Sequence, residues 1–111
     1  MTTTLTRPQH MEALAEANRR RLYRADLKRR IGCGQRDIKK VILSDDPLIE
    51  TMKVSELLCA QYRWGTSRTE RLLRSVAIGY GRTFGQLTWR QRHMIVAALE
   101  AIQRAKEEAT A

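Results

Sequence analysis

The chain has 111 residues, enough for one compact domain, and its 21 Lys and Arg against 12 Asp and Glu give a formal net charge of +9. No apolar run is long enough to cross a membrane, and the first residues lack the charged and apolar segments of a signal peptide. Cys33 and Cys59 lie far apart without a CxxC motif, which argues against a disulfide-rich secreted scaffold and favours a cytoplasmic protein.

The positive charge is concentrated in two segments. Residues 1–43 carry 11 basic against 4 acidic side chains and residues 61–111 carry 9 against 4, whereas the acidic segment 44–60 lies between them. A basic excess of this size in a small chain is the electrostatic footprint of a protein that binds a polyanion. We therefore expect a nucleic acid as the partner, and a merely soluble basic protein is the alternative.

A long basic helix is predicted from Pro8 to about Arg30. Thr6 and Gln9 have the spacing of a capping box, and glycines at positions 32 and 34 end the helix. Its apolar stripe is thin, so much of it cannot be buried. We interpret residues 1–20 as a basic N-terminal arm and residues 21–111 as a single helical domain.

Three short helices are predicted next. The first spans about Gln35–Leu43, the second opens at Asp46 and Pro47 as N-cap and first helical residue, and the third begins near Val54. The third helix is expected to turn Tyr62 into the core. Each is only one to three turns long, which fits small elements packed in one domain.

Two further helices complete the pattern. A turn at 63–65 is followed by Ser67 and Glu70, which are spaced as a capping box for a helix reaching about Ile78. Thr88 and Gln91 are spaced in the same way and open a last helix that ends near residue 106, with a core stripe of Ile95, Ala98, Leu99 and Ile102. The chain is thus predicted to be an all-α domain of five to six helices.

Nothing in the sequence indicates an enzyme, a cofactor or a metal. His10 and His93 have no nucleophile beside them, and together with the two cysteines they match no zinc spacing. Asp45 and Asp46 are interpreted as a helix cap because Pro47 follows them, and Cys59 as a small core residue.

A phosphate site is predicted where the helix after the 63–65 turn begins. The free N–H groups of residues 66–69 and the positive end of the helix dipole can receive a phosphate, and Arg68 and Arg71 lie beside them. The segment with Arg82, Arg90 and Arg92 is expected to converge on the same place. The alternative is an ordinary helical hairpin with a solvated arginine face.

Three segments of the chain resemble the actinobacterial-type integration host factor family. They are MKVSELL at 52–58, RWGTSRTERLLRSVAI at 63–78 and RTFGQLTWRQR at 82–92, within a likeness that covers roughly residues 10–99. The turn departs from the family's Gly-Val-Gly-like turn, Thr66 replaces a common lysine, and 84–86 replaces an arginine-richer loop. These departures indicate a diverged member, and a phage-borne origin is an open alternative.

The resemblance implies a helix–two-turn–helix fold, also found in a ribosomal protein and in DNA glycosylases. It implies a monomeric, nucleoid-associated architectural protein that binds duplex DNA with little sequence preference, bends or compacts it, and assists a phage integrase. An RNA- or ribosome-associated protein and a recombination-accessory interaction module remain alternatives. The expected DNA-binding residues are Arg63, Gly65, Thr66, Ser67, Arg68, Arg71, Arg82, Arg90 and Arg92, with Arg20, Arg21 and Arg24 of the first helix.

Overall fold

The computed structural model describes residues 7–110, which form five α-helices and two 3₁₀ helices. The helices are α1 Arg7–Gly32, α2 Ile38–Ile42, α3 Val54–Cys59, α4 Thr66–Ser75 and α5 Trp89–Thr110, with 3₁₀ helices at Pro47–Ile49 and Phe84–Gln86. In this part of the chain, β pairing is limited to one isolated antiparallel bridge between Lys53 and Thr83. The predicted all-α class is confirmed. None of these helices is both long and apolar enough to span a bilayer.

The core is built around α3 and excludes the two ends of the long helices. α1 buries only Leu27 and Ile31, both in its last two turns. In α5 the buried residues end at Leu99, and residues 101–109 are all exposed. The centre of the core is formed by side chains that are less than 2% exposed and come from all the helices after α1. Among them are Ile42, Ile49, Leu57, Leu73, Phe84 and Ile95.

Polar contacts attach α1 to the elements that follow it. The Tyr23 hydroxyl donates to the Asp46 carboxylate, and this hydrogen bond, burial and the carboxylate charge together raise the pKa of Tyr23. Arg24 donates from Nε to the Leu48 carbonyl at 3.0 Å. Lys28 forms an ion pair with Glu56 of α3, with 3.0 Å between Nζ and Oε1. These contacts fix the C-terminal half of α1.

A short antiparallel pairing holds the loop after α4 against the start of α3. Val54 N donates to the Arg82 carbonyl and Phe84 N donates to the Met52 carbonyl, both at 3.0 Å. Gly85 N then donates to the Glu50 carbonyl at 2.8 Å, and a Cβ on Gly85 would lie only 2.7 Å from Glu50 Cγ. This close approach is the reason for glycine at position 85.

Several helix boundaries in the structure differ from the predicted ones. α2 begins at Ile38 because the Asp37 carboxylate caps it, accepting from Lys39 N at 3.0 Å. The Thr88–Gln91 capping box is confirmed by hydrogen bonds of 2.9 and 3.1 Å. α5 continues to Thr110, beyond the predicted end. The predicted Thr6–Gln9 capping box includes Thr6, which lies outside the described residues.

The prediction for α4 was wrong at both ends. Ser67 and Glu70 form no capping box, since α4 begins at Thr66 with Gly65 as its N-cap. The helix ends at Ser75 instead of Ile78, because Ala77 adopts the left-handed region at φ 57 and Ile78 N closes back on the Leu73 carbonyl at 2.9 Å. In the segment just before α4, Tyr62 is 72% exposed, so its predicted burial was wrong too.

Candidate nucleic-acid interface

The first turn of α4 presents unpaired backbone donors on an open surface. Its N-cap, Gly65, has extended backbone angles and no side chain to accept a hydrogen bond. The first bond back to this cap comes from Thr69 N to the Gly65 carbonyl at 3.1 Å, which leaves the N–H groups of residues 66–68 without an intrahelical acceptor. A Cβ built on Gly65 would meet nothing within 4 Å. An anion can therefore reach these donors.

The turn before α4 is shaped by one left-handed residue and anchored by one buried hydroxyl. Arg63 has φ 61, and Trp64 N donates to the Gln61 carbonyl at 3.0 Å. Thr69 is fully buried and its Oγ1 lies 3.2 Å from Cys59 Sγ, in a hydrogen bond that ties the first turn of α4 to the end of α3. Sequence reasoning missed Thr69, because its partner lies in a separate helix.

Within the described part of the chain, two arginines of α4 form no ion pair, whereas a third does. The Arg68 guanidinium carbon lies 5.1 Å from the centroid of the Trp64 ring. Arg71 is exposed, and among residues 7–110 neither arginine pairs with a carboxylate. Arg74 pairs with Glu70 at 2.8 Å. The available positive charge is thus concentrated at the N-terminal end of α4.

Arg82 and the start of α4 lie at opposite ends of α3. Arg82 is exposed, and its carbonyl accepts from Val54 N at the first residue of α3, whereas the first turn of α4 bonds to Cys59 at the last. Six helical residues rise about 9 Å. The predicted convergence on one place is therefore replaced by two positively charged positions separated by the length of α3.

Arg90 and Arg92 have different environments although they are only two residues apart. Arg90 is exposed. Arg92 is 9% exposed, and its guanidinium donates to the carbonyls of Ile42, Ser44 and Phe84 at 3.1, 2.9 and 2.8 Å. Residues two apart point to different sides of a helix, so one arginine faces solvent and the other faces the core. The expectation that Arg92 binds a ligand is corrected, because its donors are used within the fold.

The arginines of α1 are also unequal. Arg21 is exposed, Arg20 lies 3.3 Å from the Glu16 carboxylate, and Arg24 donates to the Leu48 carbonyl and to Thr51. All three line a groove of about 610 Å³ between α1 and the start of α3, which also contains Lys28. Arg24 belongs to the attachment of α1, which leaves Arg21 as the candidate with an unpaired charge.

The histidines and cysteines do not form a site in the described part of the chain. No group of three or more His, Cys, Asp or Glu side chains there could hold a metal ion. Cys33 is exposed, and its thiol lies 3.6 Å from the Arg30 carbonyl. Cys59 is half-buried against Thr69, as described above.

The fold is similar to that of a solved DNA-bound protein. No protein-family model matches the chain, and a search of curated proteins found no match. Among solved structures, the chain is similar to sIHF bound to an 8-bp palindromic DNA, with a TM-score of 0.66, 26% identity and coverage of 78% of this chain and 96% of that chain. The chain has an IHF-like fold. The resemblance of the 52–58, 63–78 and 82–92 segments is thereby confirmed at the level of an IHF-like fold.

The IHF-like fold supports a DNA-binding architectural role. The sIHF structure was solved with DNA bound. In the present chain, the turn before α4 consists of the left-handed Arg63, the half-buried Trp64 and the N-cap Gly65, which has no capping side chain. These residues bring an aromatic ring and a guanidinium to the place where the backbone donors are open.

Proposed function

We propose that this chain binds duplex DNA through backbone phosphates with little sequence preference. The observation that carries the proposal is the open first turn of α4, with three unpaired N–H groups on the helix that also carries the exposed Arg68 and Arg71, in a fold shared with a protein solved on DNA. Donors of this kind recognise a phosphate and carry no information about the base sequence. Low specificity is the direct consequence.

Binding at this turn combines three interactions. A phosphate oxygen accepts from the N–H groups of Thr66, Ser67 and Arg68, the positive end of the α4 dipole attracts its charge, and the guanidinium groups add charge-assisted hydrogen bonds. Arg82 contributes a second position, at the other end of α3, and the start of α5 adds the exposed Arg90. Arg63 extends the first position, since it stacks at 5.3 Å over the exposed Tyr62 ring next to the turn.

The two positions set a geometric requirement on the DNA. The two positions are attached to opposite ends of α3, whose six residues rise about 9 Å, and this length corresponds to roughly three base pairs of B-DNA at about 3.4 Å each. Simultaneous contact at both would favour DNA whose backbone follows the protein surface. We propose, on the resemblance of the 52–58, 63–78 and 82–92 segments, that the protein bends or compacts DNA in the nucleoid and assists site-specific recombination by an integrase as a monomer.

We further propose that residues 1–20 form an accessory arm and residues 21–111 the folded DNA-binding domain. In α1 the side chains from Arg7 to Ala15 are exposed, and full burial begins only at Leu27. A variant lacking residues 1–20 is expected to unfold cooperatively and to bind DNA with a salt slope reduced by about one to two units, since Arg7, Arg19 and Arg20 are lost. Loss of cooperative unfolding would show that the arm belongs to the core.

A competition experiment tests the proposed function. The full chain is bound to a labelled 20-bp duplex DNA and displaced with unlabelled duplexes of two unrelated sequences, with duplex RNA and with single-stranded RNA. The proposal predicts that the two DNA duplexes compete equally and better than either RNA. Preferential displacement by RNA would overturn it in favour of an RNA-associated protein, and absence of any DNA binding would favour an interaction module.

A further inference from the structure

A groove of about 600 Å³ runs from the turn before α4 toward α2. It is lined by the segment 61–64 with Arg68, by the segment 36–39 at the start of α2, and by Leu99, Ile102, Gln103 and Lys106 of α5. Arg36 and Lys39 belong to neither DNA-contacting position proposed above. They nevertheless share one groove with Arg63 and Arg68 of the first position.

The charge of this groove is strongly one-sided. Arg36, Lys39, Arg63 and Arg68 all line it, and within residues 7–110 none of the four pairs with a carboxylate. Asp37 is the one acidic residue among the described lining residues, and its Oδ1 already accepts from Lys39 N at 3.0 Å to cap α2. The groove therefore carries a net positive charge and adjoins the open turn of α4, and Arg36 in addition hydrogen-bonds to the Tyr23 hydroxyl.

We infer that this groove is a continuation of the DNA-binding surface, in which Arg36 and Lys39 contact the phosphates that follow the one held at the start of α4. The inference rests on the proposed function, because the same DNA strand would pass from one position to the other. Consecutive phosphates of a strand are close enough for a groove that borders Arg68 to receive the neighbours of a bound phosphate.

The shape and polarity of the groove favour a phosphate backbone over an acidic peptide. Ile31, Ile38 and Leu99 line it but are each less than a tenth exposed, which leaves Tyr62 and Ile102, 72% and 37% exposed, as its accessible apolar side chains. A helical peptide anchors itself at several apolar positions spaced i, i+3, i+4 and i+7, and these two side chains on separate segments are too few for that. The cationic side chains offer instead what a backbone of phosphates needs, which is positive charge with N–H donors.

Neighbouring lysines provide a matched test. Lys39 lines the groove, whereas Lys40 is exposed on the same helix and does not line it. At about 0.15 M salt, a counterion-release slope of −0.9 per contact predicts roughly fivefold weaker binding of a 20-bp duplex by K39A and about 30-fold by R36A/K39A. K40A should bind like the unmodified chain, and thermal unfolding of all three variants shows whether they remain folded.

A gain of affinity provides the second test. Asn caps a helix as well as Asp, so D37N keeps the start of α2 and removes the carboxylate from the groove. We expect D37N to bind the duplex tighter and D45N, an equal change of net charge at an exposed residue that does not line the groove, to leave the affinity unchanged.

The outcomes separate this inference from the proposed function. If the unmodified chain binds duplex DNA but K39A matches K40A and D37N matches D45N, the groove lies off the DNA path and the inference is overturned while DNA binding stands. If neither the unmodified chain nor any variant binds duplex DNA, the proposed function itself is overturned. The combination of weaker K39A, weaker R36A/K39A and tighter D37N supports the inference.

Discussion

The guanidinium of Arg68 lies over the Trp64 ring, with 5.1 Å between the guanidinium carbon and the ring centroid. Trp64 packs against the core cluster and is half-buried, so it gives Arg68 a fixed platform. An arginine held over an aromatic face keeps the N–H groups at the edge of its guanidinium available. Its rotamer freedom is already reduced before a ligand binds. The relationship places a pre-oriented cation beside the backbone donors of α4.

Replacing Arg68 is expected to weaken DNA binding without affecting the fold. R68A should lose about 1–3 kcal/mol of binding free energy, equally for unrelated duplex sequences, since a charge-assisted phosphate contact is removed. Its melting temperature should stay close to that of the unmodified chain because Arg68 is exposed. R74A is the control, since Arg74 lies on the same helix but pairs with Glu70. A change in preference between two sequences would argue for base readout.

A substitution at Gly65 is expected to change thermal stability and DNA affinity in opposite directions. Its extended backbone and open surroundings accept a side chain, and Asp is a strong N-cap that also complements the helix dipole. G65D should therefore match or exceed the thermal stability of the unmodified chain while its carboxylate takes the phosphate position and repels DNA. G65N caps without the charge and should weaken binding less. Unimpaired binding by G65D would contradict a phosphate at this turn.

Arg90 and Arg92 should separate into a binding residue and a folding residue. R92A removes a donor from the carbonyls of Ile42, Ser44 and Phe84, of which that of Phe84 keeps the Leu87 N–H at 3.2 Å, and a loss of about 2–4 kcal/mol in the free energy of unfolding is expected. R90A should leave unfolding almost unchanged and weaken DNA binding. Chemical denaturation and a binding titration on both variants give the comparison, and equal stability of the two would contradict the assigned roles.

Ala77 carries a backbone strain that glycine relieves. It occupies the left-handed position of a Schellman motif, in which Ala77 N donates to the Arg74 carbonyl and Ile78 N to the Leu73 carbonyl. A non-glycine residue costs about 1–2 kcal/mol in this conformation. A77G is expected to raise the free energy of unfolding by about 1 kcal/mol, measured by denaturant titration, and a decrease would place the strain elsewhere.

Local signals predicted the elements better than the contacts between them. Thr88 and Gln91 were recognised because both partners of a capping box lie within one turn, and Thr83 with Gln86 repeats the same pattern and forms a second one that was overlooked. The burial of Arg92 depends on the Ile42 carbonyl, 50 residues away in the sequence. No periodicity within α5 identifies that acceptor, so the residue was read as a surface arginine.

The candidate site was predicted at the correct turn but with incorrect geometry. The 63–65 turn and the arginines that follow were identified from composition and spacing, whereas the N-cap was assigned to Ser67 because serine is a common cap. The actual cap, Gly65, follows from the left-handed Arg63 and from the Cys59–Thr69 hydrogen bond, both of which depend on how α3 and α4 pack. The open donors of α4 are a product of that packing.

The salt dependence of duplex binding tests the phosphate account most directly. The full chain is titrated with a 20-bp duplex over a range of salt concentrations, for two unrelated sequences. The five contacts of Arg63, Arg68, Arg71, Arg82 and Arg90, with Arg92 excluded by its burial, predict a slope of log K against log salt of about −4 to −5. The proposed arm and groove contacts each make the slope steeper by a further one to two units, and the slope is the same for both duplexes. A slope near zero, or slopes that differ between the two sequences, would contradict binding through backbone phosphates.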